Sequence, residues 1–170
     1  LLVVCMKLTE AGRAKESARV LGSIPSERMT ARLKVLLRIE LGFAQLALGD
    51  FHKAMQVLTD ASADLVDCKF PNFDQITIRV KYLYGRSLLG MRRLGEAEGV
   101  FLDTLKLVPK MTSEQAILIM RGICDLCVAK KRKDRYKEAV ATIAEITDAE
   151  EKDPIARASV HAELGIAEYA

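Results

Sequence analysis

The chain has 170 residues, of which 50% are hydrophobic and 29% are charged, and its net charge is +3. This composition predicts one folded domain over residues 1–170 and argues against a disordered chain. It also argues against a membrane protein, because no apolar run approaches the ~18 uncharged residues of a spanning helix. Four cysteines in a chain with this much core are not typical of a secreted disulfide framework. We therefore expect reduced thiols and an intracellular protein, in the cytoplasm or the nucleus.

Both ends of the sequence look incomplete. The chain begins at Leu1, and its final residues, AELGIAEYA, stop within an apolar helical pattern. We therefore expect an excerpt of a longer chain, whose exposed apolar end faces favour self-association.

The apolar pattern predicts helices throughout and no strand. Capping signals support several helix starts, namely Asn72 with Gln75, Thr112 with Gln115, and Asp153 before a proline. In chain order, the predicted helices cover residues 1–9, 13–22, 27–48, 51–67, 73–91, 94–107, 113–131, 134–147 and 154–170.

Residues 76–85, ITIRVKYLYG, alternate apolar and polar side chains as a half-buried strand does. Ile76, Val80 and Leu83 also fit the spacing of one helical face. The low helix propensity of the Ile, Thr and Val residues costs roughly 2 kcal/mol, whereas burial of one large apolar side chain contributes about 1.5–3 kcal/mol. We therefore predict a helix for this segment.

The sequence contains an internal repeat, whose copies are spaced by 37, 43 and 42 residues. Each copy has a small residue early, a second small residue at a fixed offset, and a large apolar residue one helical turn later. The two clearest copies contain Gly42, Phe51, Ala54 and Leu58, and then Gly85, Leu94, Ala97 and Phe101. The weaker copies contain Cys5, Ala14, Ser17 and Leu21, and then Cys127, Tyr136, Ala139 and Ile143. The predicted repeats cover about 1–25, 35–68, 78–110, 120–152 and, in part, 158–170.

This spacing predicts antiparallel helical hairpins. Small residues on both helices allow the two backbones to approach closely, while Leu58 or Phe101 fills the space on the same face. The turns between them, LGDF, MRRLG and KKRKDRY, are short and rich in glycine or charge.

The repeat resembles the tetratricopeptide repeat, or TPR. In that family a Leu-Gly pair in a first helix precedes an aromatic residue, an alanine and a large apolar residue in a second helix. ELG…DFHKAM…L and LYG…LGEAEGVF…P match this signature well, whereas Cys127 replaces the glycine in DLC…RYKEAV…I. The spacing exceeds the usual length of about 34 residues and is similar to that of long-repeat variants, with about 42 residues. The resemblance implies an all-α fold, a right-handed α-α superhelix (solenoid) of TPR-like antiparallel helix hairpins.

The resemblance also implies that the first helix of each repeat forms an inner face that binds a partner. The inner-face positions change from apolar to basic along the chain, which suits a peptide or helix with apolar and acidic residues. The alternative is that the apolar members pack against the neighbouring helix. The candidate partner-binding residues are Leu36, Ile39, Phe43, Arg79, Tyr82, Arg86, Arg121, Val128 and Lys131.

No motif indicates catalysis, a metal site or a cofactor site. His52 and His161 are isolated, and we interpret them as helix-surface residues. The C-x-x-C of Cys124 and Cys127 has no second ligand pair, and Cys127 fits the small position of the repeat; metal binding or redox chemistry is the alternative. We therefore predict a non-enzymatic scaffold or adaptor, acting as a subunit of a larger assembly.

A basic run, KKRKDR at 130–135, concentrates the positive charge of the chain. Together with Arg92 and Arg93 in the preceding turn, it would form a basic rim. The three interpretations are a solvated turn, a rim for an acidic partner, and a nucleic-acid site or nuclear import signal. Nucleic acid is disfavoured because aromatic residues, which would stack on bases, do not interleave with the basic residues of the run. A regulatory TPR segment of a larger enzyme or transcription regulator is a further alternative.

Overall fold

The computed structural model describes residues 1–25, 29–68, 70–107 and 113–130, and these residues confirm the all-α prediction. They form seven α-helices and no strand. The helices are α1 (Leu2–Glu10), α2 (Ala14–Gly22), α3 (Ala31–Ala47), α4 (Phe51–Val66), α5 (Phe73–Gly90), α6 (Leu94–Leu105) and α7 (Ser113–Lys130).

Part of the sequence prediction lies outside the described residues. This applies to the helices predicted at 134–147 and 154–170, to the partial repeat at 158–170, and to the second helix of the repeat at 120–152. It also applies to Asp153, which was predicted to cap the helix at 154–170, and to Thr112, which was predicted to form a capping pair with Gln115.

One predicted helix start and one predicted side-chain cap were wrong. Helix α3 begins at Ala31 and not at 27, because the backbone of Thr30 is extended and its hydroxyl accepts a hydrogen bond from the backbone N–H of Leu33 at 3.3 Å. Asn72 precedes α5 as predicted, but its side chain makes no capping hydrogen bond.

The segment ITIRVKYLYG is helical and lies within α5. Ile76, Ile78 and Val80 are all buried. Helix α5 packs against α3 and α4 and also against α6 and α7. The strand-like alternation of the sequence therefore reflects a helix that is buried on two sides.

The described helices pack as consecutive hairpins. α1 packs on α2, α3 on α4, and α5 on α6. The second helix of each hairpin also contacts the first helix of the next one, as α2 does with α3, α4 with α5, and α6 with α7. The first helices contact one another as well, in the order α1, α3, α5 and α7.

The three hairpin turns have the same backbone geometry. Gly12, Gly49 and Arg92 stand at equivalent positions with φ of +78°, +76° and +60°. In each turn the next residue donates its backbone N–H to a carbonyl in the last helical turn; the N···O distance is 2.8 Å from Arg13 to Leu8. This is the Schellman motif, in which a left-handed residue ends the helix.

The predicted small and large residues meet where the helices touch. A Cβ atom built on Gly42 would lie 2.7 Å from Leu58, and one built on Gly85 would lie 2.8 Å from Phe101. Ala97 has no exposed surface, as expected for a close helix contact. The repeat positions inferred from the sequence are therefore confirmed for the second and third hairpins.

The first hairpin has the same arrangement of small and large residues, but a hydrogen bond joins its two small residues. Cys5 and Ser17 occupy the two small positions and have no exposed surface, and Leu21 is buried at the large position. The hydroxyl of Ser17 donates a hydrogen bond to the backbone carbonyl of Cys5 at 2.9 Å. This bond satisfies the buried hydroxyl and joins α1 to α2.

The core consists of two buried clusters that meet at α5. Tyr82 and Tyr84 pack against both. The first cluster contains Val35, Ile39, Leu58, Ala61, Leu65, Cys68, Ile76, Val80 and Leu83. The second contains Ile78, Leu88, Ala97, Phe101, Ile119, Ile123 and Leu126.

Candidate functional site

The first helices of the hairpins enclose an inner groove, which consists of two adjoining depressions. The larger one, here called the large groove, has a volume of about 580 Å³. The smaller one, here called the Arg92 pocket, has a volume of about 430 Å³. Phe43, Tyr82 and Leu83 line both depressions and form the boundary between them.

The large groove is lined mainly by α1, α3, α5 and α7. Its apolar wall includes Met6, Leu36 and Leu118, and its polar wall includes Glu10 and Arg79. Four helices that are distant in sequence therefore contribute to one surface.

The Arg92 pocket lies beside the turn between α5 and α6. It is formed by apolar side chains from α3, α4 and α5 together with Ala129 of α7, and three charged side chains stand around them. The apolar side chains are Phe43, Leu46, Ala47, Phe51, Tyr82, Leu83 and Leu89, and the charged ones are Arg86, Arg92 and Asp125.

The structure brings together five of the residues that the sequence assigned to partner binding. Leu36, Phe43, Arg79 and Tyr82 line the large groove, and Arg86 lines the Arg92 pocket. These are side chains of the first helices of two successive hairpins, α3 and α5.

Of the remaining four candidates, two lie outside the inner groove and two are not tested by the described residues. Ile39 is only 1% exposed and belongs to the core, so the packing alternative applies to it. Arg121 is exposed on α7 outside the two depressions. The side chain of Val128 and the whole of Lys131 lie outside the described residues.

Arg79 is held by an ion pair that the sequence did not predict. Its Nη2 lies 2.6 Å from Oε1 of Glu40, whose side chain is only 8% exposed. The other carboxylate oxygen of Glu40, Oε2, is buried and has no hydrogen-bond partner among the described residues. Burial raises the pKa of the Glu40 carboxyl above its usual value of 4.5, and the Arg79 guanidinium offsets only part of this rise.

Arg86 is also paired, but at the surface. Its Nη1 lies 2.9 Å from Oδ2 of Asp125 on α7 and 3.5 Å from the hydroxyl of Tyr82. The two charged side chains are 37% and 54% exposed, so water and salt screen their attraction. The pair therefore leaves Arg86 accessible to an external anion.

Carboxylates neutralise two of the three described cations of the predicted basic rim. Lys130 forms a largely buried ion pair with Glu98 of α6, and Arg93 donates two hydrogen bonds to the carboxylate of Glu96. Arg92 differs from both, since its side chain has no hydrogen bond or ion pair with any residue that the structure describes. The other basic residues of the run at 130–135 lie outside the described part of the chain.

The described residues contain no group of histidine, cysteine and carboxylate side chains that could hold a metal ion. His52 is exposed, as the sequence predicts, whereas His161 lies outside the described residues. Cys5 and Cys68 are buried free thiols. The side chains of Cys124 and Cys127 are not described, so the choice between packing and metal or redox chemistry stays a prediction. None of the described helices has the length and apolar character needed to cross a bilayer.

Sequence reasoning missed several residues of the inner groove. Glu40 and Asp125 neutralise two predicted cations, and the offsets of the repeat give no signal for either. Gly90 allows the ring of Phe51 to approach its backbone, since an added Cβ would lie 2.3 Å from that ring. A signal did exist for Arg92: it stands where the other two turns have glycine.

Comparison with protein-family models, with curated proteins and with solved structures found no match to this chain.

Proposed function

We propose that this protein is a non-enzymatic interaction scaffold or adaptor, in which TPR-like hairpins stack into a right-handed solenoid and hold a segment of a protein partner in the inner groove. The single observation that carries the proposal is the shared groove. Leu36, Phe43, Arg79 and Tyr82 were selected from the sequence as partner-binding residues, and they line one depression.

The shape and lining of the inner groove support a peptide or helix as the occupant. Several helices contribute side chains to the large groove. The concave surfaces of stacked helical repeats are typical sites for extended or helical segments. Aromatic side chains such as Phe43 and Tyr82 are well suited to anchor a partner, because they bury large areas at small entropic cost.

The same surface gives little support to catalysis. Its charged groups in the described residues are engaged in ion pairs or exposed, as with Arg79 on Glu40 and Arg86 on Asp125. We propose an intracellular location, in the cytoplasm or the nucleus, which the buried free thiols of Cys5 and Cys68 support.

The proposal is tested by affinity capture with mass spectrometry, comparing the unmodified chain with Phe43→Glu. Phe43 lines both depressions, so the substitution places a charge in each of them. We therefore expect Phe43→Glu to lose the proteins that the unmodified chain captures. Leu102→Glu is the matched control, since Leu102 is 40% exposed on α6 and lines neither depression. Thermal melting establishes that both variants fold. Capture that survives Phe43→Glu and is lost with Leu102→Glu would contradict the inner groove as the binding surface.

Nucleic-acid binding is the competing function, and a gel shift at low salt decides between the two. Lys130 is engaged with Glu98 and Arg93 with Glu96, which leaves Arg92 as the one rim cation without a partner among the described residues. Binding of nucleic acid that is lost when the basic residues of the run at 130–135 are neutralised would favour this alternative.

A further inference from the structure

We propose that the Arg92 pocket binds one large apolar side chain of a partner peptide, and that Arg86 and Arg92 together bind a carboxylate adjacent to it in the same peptide. This inference rests on the proposed function and specifies the chemistry of the partner. The recognised motif is a large apolar residue with an aspartate or glutamate within one helical turn.

The apolar half of the motif follows from the shape of the Arg92 pocket. Its volume of about 430 Å³ lies within the ~300–1,000 Å³ range of typical ligand sites. Phe43, Phe51 and Leu89 are partly buried, so each has surface left to contact a guest. The ring of Phe51 lies close against Gly90 at one side of this cavity.

The acidic half follows from the charges around the pocket. Arg86 and Arg92 contribute two positive charges, and Asp125 contributes one negative charge. Arg92 has no partner among the described residues, and Arg86 uses only Nη1 for its contacts with Asp125 and Tyr82. Guanidinium groups bind carboxylates through paired, charge-assisted hydrogen bonds, so a partner carboxylate complements this excess charge.

The backbone of Arg92 provides an additional argument. The equivalent residues of the other two turns are Gly12 and Gly49, and all three have positive φ. A left-handed conformation costs a non-glycine residue about 1–2 kcal/mol, and such costs concentrate at functional sites. The presence of arginine at this position is explained if its side chain is needed at the pocket.

Arg79, which the sequence grouped with Arg86, is excluded from this role. Its guanidinium pairs with the buried carboxylate of Glu40, and withdrawal of Arg79 would leave that carboxylate buried without a counter-charge. The carboxylate of the partner is therefore expected at the Arg92 end of the inner groove.

The experiment is a selection with a phage-displayed library of random peptides of about 12 residues, long enough to cross the pocket, on the unmodified 170-residue chain. We expect the enriched peptides to share a large apolar residue with an acidic residue within one helical turn of it. The most enriched peptide is then synthesised with a fluorescent label, and its dissociation constant is measured by fluorescence polarisation.

Arg92→Gln should weaken binding of this peptide about tenfold, as expected for loss of one charge-assisted contact. Arg93→Gln is the matched control, because it removes the same charge from the adjacent residue, which does not line the pocket. It should leave the dissociation constant nearly unchanged. A peptide in which Asn or Gln replaces the acidic residue should bind both the unmodified chain and Arg92→Gln equally weakly, since the effects of two interacting groups are not additive.

Three results would overturn this inference. If enriched peptides lack the acidic residue, or if Arg92→Gln and Arg93→Gln bind them alike, the assignment of Arg86 and Arg92 fails while the inner groove stands as a peptide site. If no peptide is enriched above background, the proposed function fails together with this inference. Melting of both arginine variants shows whether a loss of binding reflects a loss of folding.

Discussion

Arg92 combines an unfavourable backbone conformation with an exposed side chain that has no partner among the described residues. Its φ of +60° places it in the left-handed region, where Gly12 and Gly49 occupy the same position of the other turns without a Cβ atom. The free-energy cost of this backbone conformation therefore depends on which residue stands at position 92 and not on the packing around it.

We expect Arg92→Gly to stabilise the protein. Relief of the left-handed strain exceeds the extra entropy that glycine gives to the unfolded chain, and the net gain is about 0.5–1 kcal/mol. The measurement is the free energy of unfolding in urea. Arg93→Gly serves as the control, since the φ of Arg93 is −82° and only the entropic loss and the contact with Glu96 apply there. A lower stability for Arg92→Gly than for the unmodified chain would disprove the strain.

Glu40 has a buried carboxylate, one oxygen of which has no hydrogen-bond partner among the described residues. Because burial raises the pKa of Glu40, the folded state holds this proton more tightly than the unfolded chain does. The contribution of the group to the free energy of unfolding is therefore complete below the unfolded pKa of 4.5 and declines as the pH rises through the higher folded pKa.

Glu40→Gln tests the direction of this pH dependence of the free energy of unfolding. The difference in free energy of unfolding, unmodified chain minus Glu40→Gln, should fall as the pH rises above about 4.5 and then become constant. Urea denaturation at constant ionic strength between about pH 4 and pH 8 measures this difference. A difference that grows with pH would mean that Arg79 dominates over burial and that the pKa of Glu40 is lowered.

Neighbouring helices leave no room for a Cβ atom at several glycines. The ring of Phe101 lies between Gly85 of α5 and Gly122 of α7, and a Cβ on either glycine would lie 2.8 or 2.7 Å from it. Since Phe101 is only 1% exposed, its ring has no free space to move into.

Gly85→Ala should therefore destabilise the protein by about 1–3 kcal/mol through overpacking. Gly99→Ala is the matched control in α6, where an added Cβ would have no neighbour within 4 Å. There the better helix propensity of alanine should stabilise the protein by about 0.5–1 kcal/mol. Thermal melting of both variants measures the contrast, and an equal shift for the two would refute the contact of Gly85 with Phe101.

The helices themselves were largely predictable, because their signals are local. The pattern of small and large residues predicted α4, α5 and α6 with ends within two residues of the observed ones. The start of α3 was misplaced, since a single hydroxyl, that of Thr30, selects it from a stretch without a stronger signal. The contact of Phe101 with Gly85 was predicted, but its contact with Gly122 was not, because Gly122 lies on α7, in the next predicted repeat.

At the scale of the whole molecule, the main contacts join helices of the same or of adjacent hairpins. Where helices contact mainly their neighbours, as these do, stability is close to a sum over neighbouring units, and we expect a local loss of packing to remain local. The overall stability is then distributed along the chain.

Hydrogen exchange of Gly85→Ala tests this locality. Amide protection should decrease in α5, α6 and α7, which surround Phe101, and should stay nearly unchanged in α1 and α2. An equal loss of protection in all described helices would indicate one cooperative unit and would count against nearest-neighbour stability.

The sequence by itself determined the hairpins, because helix propensity, turn length and the recurrence of small residues act between residues close in the chain. The resemblance to the TPR family, together with helical periodicity within α3 and within α5, also indicated Leu36, Phe43, Arg79, Tyr82 and Arg86 as side chains of the inner face. Only the tertiary structure decided which of the cations face a partner. Arg79 meets Glu40, Arg86 meets Asp125 and Lys130 meets Glu98 across pairs of helices, and Arg92 meets no described partner. Ion pairing depends on the distance between charges on different helices, and this distance exists only once the helices have packed.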